Sequence, residues 1–199
     1  MVLIIKRIID IITSIFFLTI SGPFFLIIPL LIKYDSLGPV FYLGVRAGRD
    51  NIPFKIIKFR TMDPNAENIG GTSTSHNDAR ITKLGQLLRR YKLDEIPQFI
   101  NVLKGEMSIV GPRPEVYEYT TLYTDEEKEI LSFRPGITDL ASIEYFKLGE
   151  ILGDDNADQV YRDQIRPLKN ALRLKYVREH TLWMDFNIMF KTFLKFSEI

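Results

Sequence analysis

An uncharged apolar run from Ile11 to Ile32 dominates the start of the chain and is interrupted near its middle by Ser21-Gly22-Pro23. A helix needs about 20 residues to cross a hydrocarbon core roughly 30 Å thick, and an internal Gly-Pro divides this run into two pieces that are each too short. Lys6 and Arg7 precede the run and Lys33 follows it, so the preference of cations for the cytoplasmic side draws both ends to one face. The pattern predicts a re-entrant helix-break-helix hairpin; a kinked spanning helix is the alternative.

The residues beyond this hairpin show strand patterns first and helical patterns afterwards. Residues 39–46 and 53–60 favour two short strands around a tight turn, which together form a cation-rich β-hairpin. Helical spacing begins at Ile81 and resumes at Pro97, and Gly105 lies just past the second helix. Further helices are predicted at 124–132, where Thr124 and Glu127 form a capping-box pattern, at 167–180 and at 182–196.

These patterns predict an α+β fold class. Residues 1–34 form the membrane hairpin, and residues 35–199 form one cytosolic domain with a small β-hairpin, several helices and interfacial amphipathic helices. The aromatic face of residues 182–196 suits the headgroup region, where Trp and Lys anchor well, whereas packing on the protein's own core is the alternative. The polar residues 64–79 predict a mobile surface loop, either a lid over a site or a plain connection.

The amino-acid composition limits the kinds of site and partner that the chain can have. The chain has no cysteine, which excludes disulfides and thiolate metal sites. Its two histidines, His76 and His180, lie too far apart in sequence to suggest a zinc site, and we interpret both as surface residues. The net charge is only +1, which argues against nucleic acid as a partner. Residues 46–113 carry 12 basic and 7 acidic residues, whereas residues 114–199 carry 11 and 16. An anion is therefore expected to bind the middle of the chain.

Asp94-Glu95 lies between two apolar helical stretches and directly before a predicted helix start. The helix dipole and nearby cations favour an ionised carboxylate at this position. Such an aspartate can attack phosphorus to form an acyl phosphate, or can hold Mg²⁺ against a diphosphate. A plain helix cap is the alternative.

Arg113 is fixed on both sides by proline, in Gly111-Pro112-Arg113-Pro114, and a rigidly presented guanidinium suits phosphate. Lys58 and Arg60 add cations from the hairpin, and Arg134 repeats the pattern of an arginine beside Pro and Gly. A carboxylate pair with several fixed cations is what phosphoryl transfer requires, because that reaction depends on positioning and charge neutralisation.

In their order and spacing, these motifs resemble the bacterial sugar transferase family, the small monotopic phosphoglycosyl transferases. The resemblance covers nearly the whole chain. It extends through Lys6-Arg7-x-x-Asp10, the interrupted hairpin, Lys58-Phe59-Arg60-Thr61-Met62, Leu93-Asp94-Glu95-x-Pro97-Gln98, residues 101–108, Gly111-Pro112-Arg113-Pro114 and Arg134-Pro135-Gly136-Ile137-Thr138.

The resemblance implies a monotopic enzyme on the cytoplasmic face of the bacterial inner membrane. It would transfer a sugar 1-phosphate from a nucleotide diphosphate sugar, such as a UDP-sugar, to a polyprenol phosphate, such as undecaprenyl phosphate, and release a nucleoside monophosphate. This is the initiating membrane step of polysaccharide or glycoconjugate synthesis. The resemblance is also compatible with a homodimer.

By resemblance, Asp94 is the nucleophile and Mg²⁺ bridges it to the donor diphosphate. Glu95 either orients the metal and Asp94 or accepts a proton from the polyprenol phosphate. Arg113, next to Pro112, binds phosphate. The further substrate-binding candidates are Arg60, Arg89, Lys58 and Arg134.

Two departures from the family pattern accompany the resemblance. Gly22-Pro23 stands where relatives have Ser-Pro, with Ser21 one residue early, and Asp139 to Tyr145 replace a stretch that many relatives begin with Gly-Trp. The second change bears on the donor sugar. Two other functions fit the same residues: a membrane-anchored Mg²⁺-dependent hydrolase of nucleotide diphosphates, and a non-catalytic scaffold whose basic hairpin binds anionic lipid.

Overall fold

A computed structural model of the protein describes residues 1–66, 78–152 and 157–197. Most of the predicted polar loop, residues 67–77, and His76 within it lie outside the described residues. The α-helices are α1 (Val2–Ile20), α2 (Gly22–Asp35), α3 (Lys83–Arg90), α4 (Gln98–Lys104), α5 (Tyr117–Thr120), α6 (Leu140–Glu144), α7 (Leu148–Leu152), α8 (Ala157–Val160), α9 (Arg166–Glu179) and α10 (Leu182–Phe196). The strands are β1 (Phe41–Ala47), β2 (Pro53–Phe59), β3 (Ser108–Val110) and β4 (Gly136–Thr138).

Short 3₁₀ turns at Arg49–Asn51, Leu93–Glu95 and Glu127–Ser132 and a π-helical turn at Tyr161–Ile165 complete the described structure. The predicted capping box before Glu127–Ser132 is confirmed, because the Thr124 and Glu127 side chains each accept the other residue's N–H. The element that it begins is a 3₁₀ helix.

The first two helices form a bent pair broken at the predicted position. Ser21 ends α1, and its N–H and hydroxyl both donate to the Phe17 carbonyl, at 2.8 and 2.6 Å. Pro23 occupies the first turn of α2, where its missing N–H costs nothing. Among the described residues no single helix is both long enough and apolar enough to cross a membrane, whereas α1 and α2 together have the length and composition to do so, across a 59° bend.

The N-terminal pair is docked on the rest of the chain through its few polar residues. Arg7 donates to the carbonyls of Val102 and Leu103 at the end of α4, and Asp10 accepts from Ser108 and from the Ile109 N–H. The opposite side of the pair is apolar and exposed. Its exposed large apolar residues include Ile4, Ile12, Phe16, Ile20, Leu26 and Leu30.

Two separate two-stranded sheets lie behind this pair. The predicted hairpin is confirmed, with β1 antiparallel to β2 from Phe41↔Phe59 to Ala47↔Pro53. The parallel pairing of β3 with β4 was not predicted from the sequence. Gly136 makes it possible, because a Cβ on this residue would lie 2.2 Å from the Gly111 nitrogen.

The largest buried cluster joins β2, α4, β3, α9 and α10 around Val102, Met107 and Tyr176. The last helix, α10, has one buried side and one exposed side. Ile188 packs into this core, whereas Trp183 is 78% exposed. Core packing, one of the two sequence interpretations of α10, is confirmed for the side that carries Ile188, and the headgroup placement of the exposed side stays a prediction. Its exposed aromatic side comprises Trp183, Phe186, Phe190 and Phe193.

The sequence interpretation of His180 as a surface residue is wrong. Its side chain is only 6% exposed, and its Nε2 lies 3.0 Å from the Asp185 carboxylate. The same carboxylate binds Lys6 of α1 at 2.9 Å and the Tyr176 hydroxyl at 2.7 Å. Asp185 thus joins the first and last helices of the described structure.

Candidate active site

Asp94 lies in the 3₁₀ turn between α3 and α4. The turn follows Lys92, whose φ of 54° is the left-handed conformation that ends α3 and redirects the chain. The Asp94 side chain is buried, and its Oδ1 has no hydrogen-bond partner among the described residues. A buried carboxylate oxygen without a partner is costly, so the site is built to receive a polar ligand there.

Glu95, the next residue, is held by two cations from separate parts of the chain. Its Oε1 accepts from the Lys58 ammonium of β2 at 3.0 Å and from the Arg113 guanidinium. Burial acts to raise the pKa of Glu95, but Arg113, Lys58 and Lys92 outweigh it and hold the pKa well below its usual range. Glu95 is therefore an ionised, fixed carboxylate and a weak base.

Hydrogen bonds fix both the side chain and the backbone of Arg113. Its guanidinium donates to the Ile137 carbonyl of β4 at 2.7 Å, and its backbone N–H donates to Asp139 at 2.9 Å. The preceding residue, Pro112, accepts from the Gly136 N–H at 3.0 Å, which joins the arginine loop to β4. The unpredicted parallel strand pair therefore fixes the position of Arg113.

Behind Arg113 lies a buried ionic network that sequence reasoning missed. Arg173 of α9 is 1% exposed and pairs with Glu115 at 2.6 Å and with Asp139 at 3.2 Å. The Glu115 carboxylate also accepts from the Tyr161 hydroxyl. Because Asp139 binds both Arg173 and the Arg113 backbone, the network holds the loop that presents Arg113.

Asn101 is a second residue that sequence reasoning missed, although it begins the stretch 101–108 that resembles the family pattern. Its side chain accepts from the Ile57 N–H at 2.9 Å and donates to the Lys55 carbonyl at 2.8 Å. The amide thereby pairs with the outer edge of β2 as a neighbouring strand would. It fixes α4, which follows Glu95, against the strand that carries Lys58.

The other predicted cations lie in different places. Arg89 is near enough to Asp94 to lower its pKa, and its Nε donates to the Thr61 hydroxyl at 2.8 Å. The Arg60 guanidinium instead donates to the carbonyls of Ser36 and Leu37 at the end of α2, at 2.8 and 2.5 Å. The structure therefore brings Lys58, Arg89 and Arg113 to the carboxylates but not Arg60.

Arg134 is also separated from the carboxylates. Its Nε donates to the carbonyl of Gly105 at 2.9 Å, beyond the C-terminal end of α4, whereas Asp94 and Glu95 precede the N-terminal end of this helix. The sequence could not reveal this separation, because Arg113 and Arg134 have the same local pattern of Pro and Gly.

The electrostatics of Asp94 predict how any activity that depends on its carboxylate would vary with pH. Burial and then Glu95 raise the pKa of Asp94 above its ordinary 3.8, while Lys58 and Arg89 oppose the shift. As the pH falls through this raised pKa, Asp94 takes up a proton, and a protonated carboxyl could not act as the predicted nucleophile, so we expect kcat/KM to fall on the acidic side. We expect Lys58→Met to move that acidic limb to higher pH. An unchanged limb in the pH–rate profile of this variant would contradict the assignment of Asp94.

The residues at Asp94 fit a magnesium ion bound together with a substrate. Among the described residues no group of three or more His, Asp or Glu side chains could hold a metal, but Mg²⁺ is usually held by one or two carboxylates and substrate phosphates. The partnerless Asp94 Oδ1 is a suitable ligand. Gln98, the first residue of α4, is fully buried, and its amide also has no partner among the described atoms. A buried polar group without a partner is costly, so the Gln98 amide, like the Asp94 oxygen, is available to a polar ligand.

Comparison with known proteins decides the family. A family model described as bacterial sugar transferase matches residues 1–198. The chain belongs to the bacterial sugar transferase family. It is 37% identical to the exopolysaccharide production protein PSS of Rhizobium leguminosarum bv. phaseoli, over 96% of this chain and 94% of the relative.

Two further members of the family have names that state a reaction. The chain is 35% identical to the UDP-N-acetylgalactosamine-undecaprenyl-phosphate N-acetylgalactosaminephosphotransferase of Aeromonas hydrophila, over 94% of this chain and 42% of the relative. It is 31% identical to the UDP-glucose:undecaprenyl-phosphate glucose-1-phosphate transferase of Caulobacter vibrioides, over 94% of this chain and 67% of the relative. The chain thus spans about two fifths of the Aeromonas protein's length.

Proposed function

We propose that this protein transfers a sugar 1-phosphate from a UDP-sugar to undecaprenyl phosphate through a covalent adduct on Asp94. The observation that carries the proposal is the buried, partnerless Asp94 oxygen beside a Glu95 carboxylate that Lys58 and Arg113 hold in place. The names of the relatives supply the substrate classes. Identity near 35% to relatives that act on different sugars leaves the donor sugar open.

The reaction proceeds in two displacements at one phosphorus atom. In the first, an Asp94 oxygen forms a bond to the phosphorus next to the sugar, and the bond from that phosphorus to the oxygen of the nucleoside monophosphate breaks, so the monophosphate leaves with the electron pair. In the second, a phosphate oxygen of the polyprenol phosphate bonds to the same phosphorus and Asp94 is released. Each step needs neutralised charge more than proton transfer.

The chain's own residues have separate roles in these steps. Asp94 attacks, and Arg89 and Lys58 neutralise charge beside it. Glu95 orients the site, because a carboxylate with a depressed pKa is a poor proton acceptor. Arg113 binds donor phosphate through the part of its guanidinium that Glu95 and Ile137 leave available. Mg²⁺, when bound at Asp94, supplies positive charge that favours displacement at the diphosphate.

The exposed apolar sides of α1, α2 and α10 support a monotopic location on the cytoplasmic face of the bacterial inner membrane. A shallow hairpin would place a site that takes one soluble and one lipid substrate at the headgroup boundary. The exposed Trp183 and its neighbouring Phe side chains suit the same boundary. A homodimer stays a prediction.

The test of the proposed reaction uses labelled UDP-sugars with undecaprenyl phosphate and Mg²⁺. A lipid-linked sugar diphosphate and UMP support the transferase. Release of UMP without a lipid product would indicate the hydrolase, and no turnover with any of a panel of nucleotide sugars would favour the scaffold. Release of UDP would indicate direct glycosyl transfer and would contradict the Asp94 adduct.

A labelling experiment tests the topology. The chain has no native cysteine, so Val2→Cys and Leu37→Cys each introduce a single exposed thiol on either side of the hairpin. In oriented inner-membrane vesicles, we expect a membrane-impermeant maleimide to label both from the cytoplasmic side. Labelling of the two thiols from opposite sides would show that the bent helix pair spans the membrane.

A further inference from the structure

A second group of cations lies at the end of α4 remote from Asp94. We infer that this cationic cluster, Arg7, Arg49, Lys104 and Arg134, binds the phosphate of an anionic phospholipid at the membrane surface. The inference rests on the membrane placement in the proposed function but concerns a different site. Asp94 and Glu95 precede α4, and the cluster surrounds its C-terminal end, roughly 10 Å further along the helix axis.

Hydrogen bonds to one helix end fix two of the four cations. Arg7 of α1 donates to the carbonyls of Val102 and Leu103, at 2.6 and 2.9 Å, and Arg134 donates to that of Gly105 at 2.9 Å. Gly105 ends the helix with a φ of 85°, and a Cβ there would lie 3.5 Å from the Arg7 guanidinium. Lys104 is the last residue of the same helix.

Three of the four charges in this cluster have no acidic partner. Among the described residues no carboxylate lies within 4.0 Å of the charged atoms of Arg7, Lys104 or Arg134, whereas the Arg49 Nε lies 3.4 Å from the carboxylate of its exposed neighbour Asp50. Burial, then the positive charges of Arg7 and Arg49, lower the pKa of Arg134. Asp10 is the acidic residue that opposes this shift, and its carboxylate is already bonded to β3.

Helix capping explains only part of the arrangement. One or two cations complement the negative end of a helix dipole, and the Arg7 and Arg134 hydrogen bonds do so here. Additional cations at the same helix end repel one another, and their proximity becomes favourable when an anion binds between them. Arg49 and Lys104 are exposed, and Arg134 uses only its Nε in a hydrogen bond with the described residues, so the cluster retains donors that face outward.

The residues around the cationic cluster indicate which anion it binds. Leu3, Ile4 and Ile8, which flank Arg7 on α1, are 51%, 67% and 52% exposed, and Leu103 beside Lys104 is 37% exposed. Cations at the border of an exposed apolar surface are the arrangement that meets a lipid headgroup, with acyl chains against the apolar side chains and phosphate against the cations. A soluble nucleotide would gain nothing from these apolar neighbours.

Partition into vesicles tests the inference with the full chain. Replacing part of the phosphatidylcholine by phosphatidylglycerol should increase binding of the unaltered protein, by roughly fivefold for each engaged cation. The double variant Arg49→Gln/Lys104→Gln and, separately, Arg134→Gln should lose a corresponding part of that increase. The matched control is Lys175→Gln, which removes one exposed charge from α9.

The controls separate this site from other sources of binding. All the variants should bind pure phosphatidylcholine vesicles equally, through the apolar hairpin. Equal losses for the cluster variants and Lys175→Gln, or no increase with phosphatidylglycerol, would overturn the inference while leaving the proposed function intact. Failure to bind either vesicle would overturn the membrane placement and the inference together.

Two competitors identify the anion. Inorganic phosphate at millimolar concentration should not reverse the increase, since the apolar contacts are required; reversal would show a free-phosphate site instead. Undecaprenyl phosphate at matched surface charge should be no better than phosphatidylglycerol. A cluster-dependent increase with undecaprenyl phosphate alone would overturn the phospholipid assignment.

Discussion

Asp94→Asn is expected to abolish turnover while the protein stays folded. The amide has nearly the same shape as the carboxylate but cannot attack phosphorus, so kcat should fall by roughly 10⁴-fold or more, the scale seen when a nucleophile is removed. Stability should change little or rise, because burial and Glu95 already disfavour the charged form of Asp94. Product formation by the purified variant, with a thermal melt alongside, measures both effects.

The covalent adduct provides the sharper measurement. Incubation of the unaltered protein with donor alone should add the mass of one phosphosugar to the peptide that contains Asp94, and Asp94→Asn should add none. Asp125→Asn is the matched control, because Asp125 is an exposed aspartate paired with a lysine on the surface. Activity of Asp94→Asn within tenfold of the unaltered protein would exclude Asp94 as the nucleophile.

Glu95→Gln is expected to lower kcat by roughly 10²–10⁴-fold. The neutral amide cannot balance Lys58 and Arg113, which would then share a partly buried site without their common carboxylate. Breaking a buried ion pair in this way costs about 3–5 kcal/mol of stability, so the variant should also melt earlier. Single-turnover kinetics at a temperature well below the melt separate the catalytic effect from unfolding.

The half-reaction that fails reveals the role of Glu95. If Glu95 orients Asp94, as its depressed pKa favours, the variant should form little adduct and release little UMP. If Glu95 were the base for the incoming polyprenol phosphate, the adduct would form normally and accumulate. Glu129→Gln is the control, since Glu129 is paired with Arg178 on the exposed surface. Unimpaired turnover in Glu95→Gln would remove this residue from the site.

Local patterns in the sequence predicted much of the fold. The break at Ser21-Gly22-Pro23, the β-hairpin and the last two helices follow from proline geometry and from periodicity over seven or more residues. The pairing of β3 with β4 did not follow, because each strand has three residues and the paired residues are 28 positions apart, as in Ser108↔Gly136. Such short strands carry no periodicity, and only their non-local pairing defines them.

The candidate site, like the fold, could be predicted from local sequence patterns only in part. Residue type and spacing identified Asp94, Glu95, Lys58 and Arg113, and the structure brings these four together. Their catalytic roles stay predictions. Sequence reasoning could not find Arg173, because its burial depends on Glu115 and Asp139, which are 58 and 34 positions away. A lone arginine in an amphipathic helix usually faces solvent.

Arg60 and Arg134 illustrate a further difficulty. Both are long side chains whose Cα positions follow from the strand and loop patterns, but the direction of each guanidinium is decided by carbonyl groups at the ends of other helices. The sequence therefore identified these cations without locating their charges. Only tertiary packing distinguishes a cation beside the carboxylates from one at a helix end.

The Asn101 amide has a consequence for self-association. An open strand edge is the usual place where two copies of a protein join into one continuous sheet or begin to aggregate. On β2 that edge is already occupied at Lys55 and Ile57 by a side chain from the same molecule. Two copies could not merge through this strand, so a homodimer would have to form through another surface.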